Sequence, residues 1–286
     1  METFLYINWN IDPEIFRIGG FALRYYSILF MLAFAFSYWF LYETFKLEKV
    51  STDTLSPLLI YVFIGTLIGA RLGHTLIYEF DYYRNHLLEI ILPFQINNKG
   101  AYEWTGYQGL ASHGGAVGIL AALGFYSKKY KQSFLWILDR LVIVVALSAF
   151  FIRIGNLFNS EIIGNPTQVD WAFVFERVDM IPRHPAQLYE AVLYLIAFFV
   201  LWIIYNRHSR LLQSGYLFGY FLIMLFSIRF FVEFLKADQE AFESEWLLNL
   251  GQLLSIPFIF LGIIMVVLKS KPRENNNRIN KKSFSI

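Results

Sequence analysis

The fold is decided by residues 141–164, LVIVVALSAFFIRIGNLFNSEIIG, where an apolar run ends in charged and amide side chains. The first half suits a lipid environment, whereas Arg153, Asn156 and Glu161 in the second half do not. An ionisable side chain inside a membrane costs roughly 2.5–3.5 kcal/mol and therefore faces a partner or a water-filled cavity. The stretch predicts a membrane helix that brings polar groups to a functional site.

The composition of the 286-residue chain indicates a membrane environment. Hydrophobic residues make up 57% of the chain, aromatic residues 19% and charged residues only 16%, whereas soluble proteins carry about 25% charged residues. The chain contains no cysteine, which excludes disulfides, cysteine-bound metals and a thiol nucleophile supplied by this protein. We expect no cofactor, no metal and no nucleic-acid partner, and the net charge of +2 says little about partners.

The hydrophobic runs predict an all-α integral membrane protein, a bundle of about seven transmembrane helices. A bilayer core of about 30 Å needs about 20 mostly apolar residues per helix. The seven candidate runs are 22–42, 55–78, 113–126, 136–155, 187–205, 215–235 and 246–268. The third is the weakest, because it is short and rich in glycine and alanine, which suits close packing against other helices. We predict one transmembrane domain over 1–270 and a basic, disordered cytoplasmic tail over 271–286.

Lysine and arginine in the short loops predict the orientation of the chain. With seven helices, the basic loop residues lie on the same side as the tail; they are Lys46, Lys49, Lys128, Lys129, Lys131, Arg207 and Arg210. The acidic segment 238–245 lies on the opposite side. We therefore expect a periplasmic N-terminus and a cytoplasmic C-terminus. The first residues lack the basic region of a cleavable signal peptide, so the first helix is expected to stay in the mature protein.

This orientation places the polar residues of the helices in the outer half of the bilayer. They are Tyr26, Arg71, His113, Arg153, Asn156, His184, Gln187, Glu190, Arg229 and Glu233. Three arginines against few acidic residues leave spare positive charge, and a guanidinium binds a phosphate through two parallel hydrogen bonds. Phospholipid head groups are the nearest phosphates. We therefore expect a phospholipid-binding cavity that opens to the outer side.

Structural explanations compete with functional ones at several of these residues. Arg229 and Glu233 are four residues apart on one helix face and can simply neutralise each other. Arg71 can pair with Glu79 or with a backbone carbonyl. His113 is either a helix-entry residue bonded to the backbone or a proton acceptor, because histidine alone titrates near neutrality without perturbation.

Two further segments have architectural alternatives. Tyr26 is either a site residue or one more interfacial aromatic side chain. The segment 184–190, HPAQLYE, is typical of a loop that enters a helix, with Pro185 in the first turn. The segment 251–255, GQLLS, indicates close helix packing without a chemical role.

Residues 153–164, RIGNLFNSEIIG, resemble the signature of the prolipoprotein diacylglyceryl transferase family. Supporting motifs are GARLG at 69–73, SHGG at 112–115, HPAQLYE at 184–190, RFFVE at 229–233 and GQLLS at 251–255. Departures are Ala111 where methionine is common, a lengthened loop at 105–109, and FLKAD at 234–238 in place of an Arg-x-Pro-Asp ending. These departures affect loops and peptide contacts rather than the core chemistry.

The resemblance implies an enzyme of the bacterial cytoplasmic (inner) membrane with its site towards the periplasm. Its substrates would be phosphatidylglycerol and the lipobox cysteine of a prolipoprotein, within membrane lipids. Arg153 matches the family's phosphatidylglycerol-binding arginine and Arg229 its second essential arginine. Other required positions fall on Tyr26, His113, Asn156, Glu161, Gly164 and Glu233. We expect Arg71 to bind substrate as well.

The chemistry implied by the resemblance fits these residue types. A substrate thiolate attacks a glyceryl carbon, and the arginines stabilise the charge that develops on the departing phosphate oxygen. Glu233 would hold Arg229 in place, and either His113 or the arginines alone would favour the thiolate. Two alternatives stay open: a phospholipid or anion transporter with an arginine-lined site, and a head-group phosphotransferase, which would need acidic metal ligands.

Overall fold

The computed structural model describes residues 6–18, 21–92, 94–96, 102–104, 109, 111–208, 213–237 and 248–270. The predicted basic tail at 271–286 and the acidic segment at 238–245 lie outside the described residues, as does most of the lengthened loop at 105–109.

The described chain is mostly helical. Seven of its helices have 18 or more residues: α1 Tyr25–Leu47, α2 Leu55–Gly73, α5 Ser112–Tyr130, α6 Phe134–Asn159, α7 Ala186–His208, α8 Tyr216–Glu233 and α9 Leu250–Lys269. Two short helices, α3 Phe80–Tyr83 and α4 Leu87–Ile91, lie between α2 and α5. A 3₁₀ turn precedes α2 at Thr52–Thr54, and a π-helical turn continues it at His74–Tyr78.

Six segments of the described chain are long and apolar enough to cross a membrane: Tyr25–Leu47, Thr52–Tyr78, Phe134–Asn159, Ala186–Arg207, Tyr216–Glu233 and Leu250–Lys269. The prediction of a multi-pass, largely helical membrane protein is confirmed. Helix α5, the weakest of the predicted spans, forms 19 residues of helix but is not among the six. Its small residues and the lysines of its last turn lower its hydropathy.

Short strands supplement the predicted all-α architecture. Strand β1 (Ile7–Trp9) pairs in parallel with β6 (Phe173–Phe175), which pairs antiparallel with β7 (Pro182–Arg183). Two hairpins join β2 (Glu14–Ile18) to β3 (Phe21–Arg24) and β4 (Phe94–Ile96) to β5 (Tyr102–Trp104). Most of these strands have two to four residues, which is too short for an alternating hydrophobic pattern to be recognised in the sequence.

The contacts divide the chain into two compact units, Met1–Leu41 with Leu138–Ile286 and Tyr42–Ile137. In the first unit, α6, α7 and α8 share a core of aliphatic and aromatic side chains that includes Ile143, Leu201 and Phe221. Helix α9 packs against α8 so closely that a Cβ added at Gly262 would lie 2.7 Å from the Gly219 carbonyl oxygen.

A buried carboxylate fixes the start of α8 against α6. Asp139 accepts hydrogen bonds from the backbone N–H groups of Gly215 at 2.7 Å and Phe218 at 2.9 Å. A carboxylate at this position satisfies unpaired amides and complements the positive end of the helix. The other end of α8, which carries Arg229 and Glu233, is thereby oriented with respect to α6.

In the second unit, α2 and α5 meet backbone to backbone. A Cβ added at Gly65 would lie 2.7 Å from the Gly118 carbonyl oxygen, and one at Gly73 would lie 2.6 Å from the Gly114 Cα. Small residues at such a contact allow membrane helices to approach closely. The predicted packing role of the glycines in the third span is confirmed.

Candidate active site

The end of α6 begins a chain of side-chain hydrogen bonds. Arg153 Nη1 donates to Asn156 Oδ1 at 3.0 Å, and Asn156 Nδ2 donates to Glu161 Oε2 at 3.0 Å. Asn159 Nδ2 donates to the other Glu161 oxygen at 3.1 Å. The helical spacing of Arg153 and Asn156 places them on one face. The signature predicted from the sequence therefore forms one connected network.

A buried glutamate of α7 connects this network to a second one. Arg153 Nε lies 2.5 Å from Glu190 Oε2 as an ion pair without hydrogen-bond alignment, and the Glu190 side chain is 0% exposed. Lys236 Nζ donates to Glu190 Oε1 at 2.9 Å, and the Tyr194 hydroxyl lies 3.4 Å from the same oxygen. Such burial of a carboxylate is tolerated only when it is paired with cations.

Lys236 also binds the glutamate at the end of α8. Its Nζ donates to Glu233 Oε2 at 2.9 Å. The expectation that Glu233 holds Arg229 is wrong, because within the described residues Arg229 forms no ion pair, and its buried Nε has no hydrogen-bond partner. Lys236, three residues after Glu233 in the sequence, takes this carboxylate. Arg229 is left without a carboxylate partner among the described residues.

The backbone around Gly164 ties the loop after α6 to two other segments. Gly164 N–H donates to the His184 carbonyl at 2.9 Å, and Gly164 forms an antiparallel bridge with Lys236. Flanking bonds run from Asn165 N–H to the Leu235 carbonyl at 2.8 Å and from Ala237 N–H to the Ile163 carbonyl at 3.1 Å.

A Cβ at Gly164 would overlap the backbone of both partner segments. Glycine is therefore required there for close approach. Gln187, which is 0% exposed, donates through Nε2 to the Glu161 carbonyl at 2.5 Å and holds the preceding turn.

Tyr26 lies over the glycine of the signature motif. A Cβ added at Gly155 would lie 2.6 Å from Tyr26 Cδ2, so the ring occupies the space that a side chain would need. The neighbouring Tyr25 stacks on Phe158 with ring centroids 4.5 Å apart, and its N–H donates to the Pro13 carbonyl at 3.1 Å. Strand β3 ends at Arg24 and α1 starts at the next residue.

Two titratable groups of the loop between α6 and α7 have shifted pKa values. Arg183 donates to both Asp179 carboxylate oxygens, at 3.0 and 3.1 Å from Nε and at 2.6 Å from Nη2, and this holds the pKa of Asp179 below its ordinary value. Arg183 Nη1 also donates to the Gly164 carbonyl at 3.3 Å. Burial lowers the pKa of His184, whose Nδ1 lies 3.2 Å from the Tyr189 hydroxyl.

The cluster is balanced in charge rather than positive overall. Among the described residues it contains three cations (Arg153, Arg229, Lys236) and three carboxylates (Glu161, Glu190, Glu233). The expectation of spare positive charge is corrected: the carboxylates neutralise the formal charge of the set. What distinguishes the site is instead the unequal pairing: in the part of the chain that the structure describes, Arg229 has no carboxylate partner.

Two predicted site residues, Arg71 and His113, belong to the second unit. The buried Arg71 donates from Nη2 to the Glu89 carbonyl at 2.5 Å and from Nε to the Ile90 carbonyl at 3.1 Å, with its guanidinium 4.9 Å from the Tyr83 ring centre. The carbonyl alternative, rather than Glu79, therefore matches its contacts. His74 is the partner of Glu79, at 3.5 Å.

His113 is exposed at the start of α5. It lies at the edge of an apolar groove of about 860 Å³ between α2 and α5, whose walls include Ile64, Leu72, Val117 and Phe125. Because its lining is mostly apolar, the groove suits an apolar ligand rather than an anion.

Sequence reasoning gathered Tyr26, Arg153, Asn156, Glu161, Gly164, Arg229 and Glu233, all of which belong to the first unit. It missed Lys236 as a site residue. The available signal was its position three residues after Glu233, a spacing that brings side chains together at a helix end. Glu190 was predicted as a polar residue in the outer half of the bilayer, but its place at the centre of the network depends on the tertiary structure.

The fold and the cluster define a multi-pass membrane protein with a buried site of paired charges at the ends of its apolar helices. The profile described as prolipoprotein diacylglyceryl transferase matches residues 13–268. The chain belongs to this family.

Relatives named phosphatidylglycerol–prolipoprotein diacylglyceryl transferase are similar over nearly the whole chain. The protein from Bacteroides fragilis is 46% identical over 269 residues, covering 94% of this chain and 97% of the relative. The one from Tolumonas auensis is 44% identical over 266 residues, covering 93% and 98%. The one from Porphyromonas gingivalis is 38% identical over 278 residues, covering 92% and 94%.

Proposed function

We propose that this protein transfers the diacylglyceryl group of phosphatidylglycerol to the lipobox cysteine of prolipoproteins, the first step of bacterial lipoprotein maturation. Family membership and the names of the relatives support the reaction. The observation that carries it is the site itself. Arg229 has no carboxylate partner in the described chain, and it shares the surroundings of Tyr194 with Arg153, which is paired with Glu190. The relatives' names give no support to a transporter.

In this reaction a bond forms between the cysteine sulfur and a glyceryl carbon. The bond between that carbon and the phosphate oxygen breaks, and its electron pair leaves with glycerol phosphate. The thiol proton passes to a base or to water, because the thiolate is the nucleophile. The positive groups of the site have one main task, which is to stabilise negative charge on the departing phosphate. A fixed donor in a dry site supplies about 2.7–4 kcal/mol towards such stabilisation.

The contacts suggest different tasks for the two arginines. Arg229 would bind the phosphate directly, since its guanidinium has no competing carboxylate among the described residues. Arg153 is held by Glu190 and Asn156, so it would present its remaining N–H groups in a fixed direction. A preoriented guanidinium needs little reorganisation as charge develops.

The other predicted residues complete the proposal. Asn156, Glu161 and Tyr26 would orient the head group, and Gly164 would keep the surrounding backbone segments in place. We retain His113 as the candidate base and Arg71 as a candidate substrate-binding residue; its bonds to the carbonyls of residues 89 and 90 also give it a structural task.

We further propose that 1–270 is a single catalytic domain in the bacterial inner membrane. In this arrangement α5 is a seventh span, the N-terminus is periplasmic and the C-terminus is cytoplasmic. The site would then open towards the outer leaflet. Its partners would be phosphatidylglycerol, the lipobox peptide and the surrounding membrane lipids, and it would have no nucleic-acid partner. The backbone packing of α5 on α2 supports its membrane location.

The test is an assay with purified protein, phosphatidylglycerol and a lipobox peptide, followed by mass spectrometry of the cysteine. We expect a thioether-linked diacylglyceryl adduct, and none on a matched peptide with serine in place of cysteine. Arg153→Ala should insert and fold but form little adduct. A wild-type protein that flips labelled lipid and never modifies the peptide would refute the proposal in favour of transport.

A further inference from the structure

Glu233 is placed where it would ordinarily bind Arg229. The two residues are four apart on α8, and this spacing brings an acidic and a basic side chain into contact on a helix face. In the structure the ion pair does not form: Glu233 binds Lys236 instead, and Arg229 forms no ion pair within the described chain. The contact between Glu233 and Lys236 therefore replaces the Arg229–Glu233 pair that the helical spacing favours.

The position of Lys236 explains why Glu233 does not pair with Arg229. Its Nζ lies 2.9 Å from Glu233 Oε2 and 2.9 Å from Glu190 Oε1, and its side chain is 3% exposed. The backbone is also fixed, because Lys236 N–H donates to the Glu233 carbonyl at 3.2 Å and the residue is bridged to Gly164. The Lys236 ammonium is therefore held by two carboxylates, and its backbone is fixed as well.

The surroundings of Glu233 favour the same arrangement. A Cβ added at Gly251 of α9 would lie 2.9 Å from the Glu233 carboxyl carbon, so α9 closes one side of this carboxylate. Lys236 occupies another. A buried carboxylate that loses its cation seeks another partner, because an uncompensated charge is strongly unfavourable there. Arg229 is the one basic residue in the sequence of α8, and it forms no ion pair with any described residue.

We infer that Lys236 is a positioning residue that binds Glu233 and Glu190 and thereby keeps Arg229 open for the lipid phosphate. The inference rests on the proposed function, and it assigns to Lys236 a task separate from contact with substrate. Without Lys236, Glu233 competes with phosphate for Arg229, and the cluster gains a net negative charge. Both effects weaken binding of an anionic lipid more than they affect the later chemical step.

The experiment compares initial rates of adduct formation at varied phosphatidylglycerol and saturating lipobox peptide. Lys236→Met removes the charge, Lys236→Arg keeps it, and Lys236→Met combined with Glu233→Gln removes both lysine and competitor. Lys46→Met is the matched control, because Lys46 also pairs with a glutamate three residues earlier, Glu43 at 3.7 Å, but in an exposed position. Size-exclusion profiles and apparent Tm values establish that each variant is folded.

We expect Lys236→Met to raise KM for phosphatidylglycerol at least about tenfold, with kcat changed less than about threefold, because loss of a charged contact in a buried site affects affinity strongly. Lys236→Arg should return KM to within about threefold of wild type, and Lys46→Met should leave both KM and kcat unchanged. The double variant should also return KM to within about threefold, although its kcat should fall because Glu233 is itself a predicted site residue. Recovery on removing a second charge is not expected of a merely structural lysine.

The outcomes separate the two proposals. Absence of adduct with the wild-type protein refutes the proposed function itself. An active wild type with an unchanged KM in Lys236→Met overturns the lysine inference alone. A Lys236→Met loss confined to kcat overturns it as well. A double variant whose KM stays as high as that of Lys236→Met also overturns it, because the competitor for Arg229 would then not be Glu233.

Discussion

Glu190→Gln is expected to lower the free energy of unfolding by about 3 kcal/mol. Removing one member of a buried ion pair costs about 3–5 kcal/mol, because the remaining charge is left uncompensated. Glu190 is 0% exposed and binds two cations, Arg153 and Lys236. Lys236 keeps a second carboxylate, that of Glu233, so only Arg153 loses its counterion. The lower end of the range therefore applies.

This change is measurable as a shift in apparent Tm. A loss of 1 kcal/mol lowers Tm by roughly 2–4 °C in proteins of 150–250 residues, so about 3 kcal/mol corresponds to roughly 6–12 °C. The assay is thermal unfolding in detergent followed by tryptophan fluorescence. Glu43→Gln is the control, because Glu43 pairs with Lys46 at 3.7 Å with both side chains about half exposed. An exposed pair contributes about 0–1 kcal/mol.

A shift for Glu190→Gln no larger than that of Glu43→Gln would refute the reasoning that this carboxylate anchors the network. A double-mutant cycle with Arg153→Gln gives a second criterion. Directly interacting residues show coupling energies of about 0.5–3 kcal/mol. Additive effects of the two substitutions would contradict a direct ion pair.

Three further predictions concern other residues. If His113 is the general base, His113→Ala slows adduct formation about 10²-fold at neutral pH; a rate equally depressed at pH about 9, where a free thiol ionises, would indicate positioning instead. Gly164→Ala should destabilise the protein by about 1–3 kcal/mol through overpacking. The control Gly124→Ala should be neutral or stabilising, because a Cβ there meets nothing within 4 Å. Equal Tm values for the two variants would contradict the close approach of the backbone segments around Gly164. Arg183 depresses the pKa of Asp179 below 3.8, so the stability that this ion pair contributes is present above that pH and is lost as the pH falls through the folded pKa. Asp179→Asn should therefore lose less Tm on acidification than the wild type. Identical Tm-against-pH profiles would show that the ion pair does not contribute to stability.

The apolar helices could be predicted from the sequence because the bilayer imposes a length and a composition on each span. The runs at 136–155 and 187–205 lie within the observed helices α6 and α7. The signature of Arg153, Asn156 and Glu161 was also predictable as a unit, since its members are close in the chain. Short strands such as β1 and β6 were not predicted, because their pairing joins distant segments.

The pairing of charges could not be derived from spacing alone. The i, i+4 relation favours an Arg229–Glu233 pair, yet Glu233 is taken by Lys236 from beyond the end of the helix. Glu190, which comes from another helix, also forms an ion pair with Lys236 and so favours the Lys236–Glu233 contact over an Arg229–Glu233 pair. Local rules describe pairs on one helix, whereas a buried site distributes its cations over every carboxylate within reach.

The direct passage from β3 into α1 has a mechanical consequence. Since Arg24 closes the hairpin and Tyr25 begins the helix, the chain has no slack between them. The same helical turn carries Tyr25, which stacks on Phe158, and Tyr26, whose ring lies against Gly155. We therefore expect a substitution that displaces the exposed hairpin to alter the contact between Tyr26 and Gly155 as well.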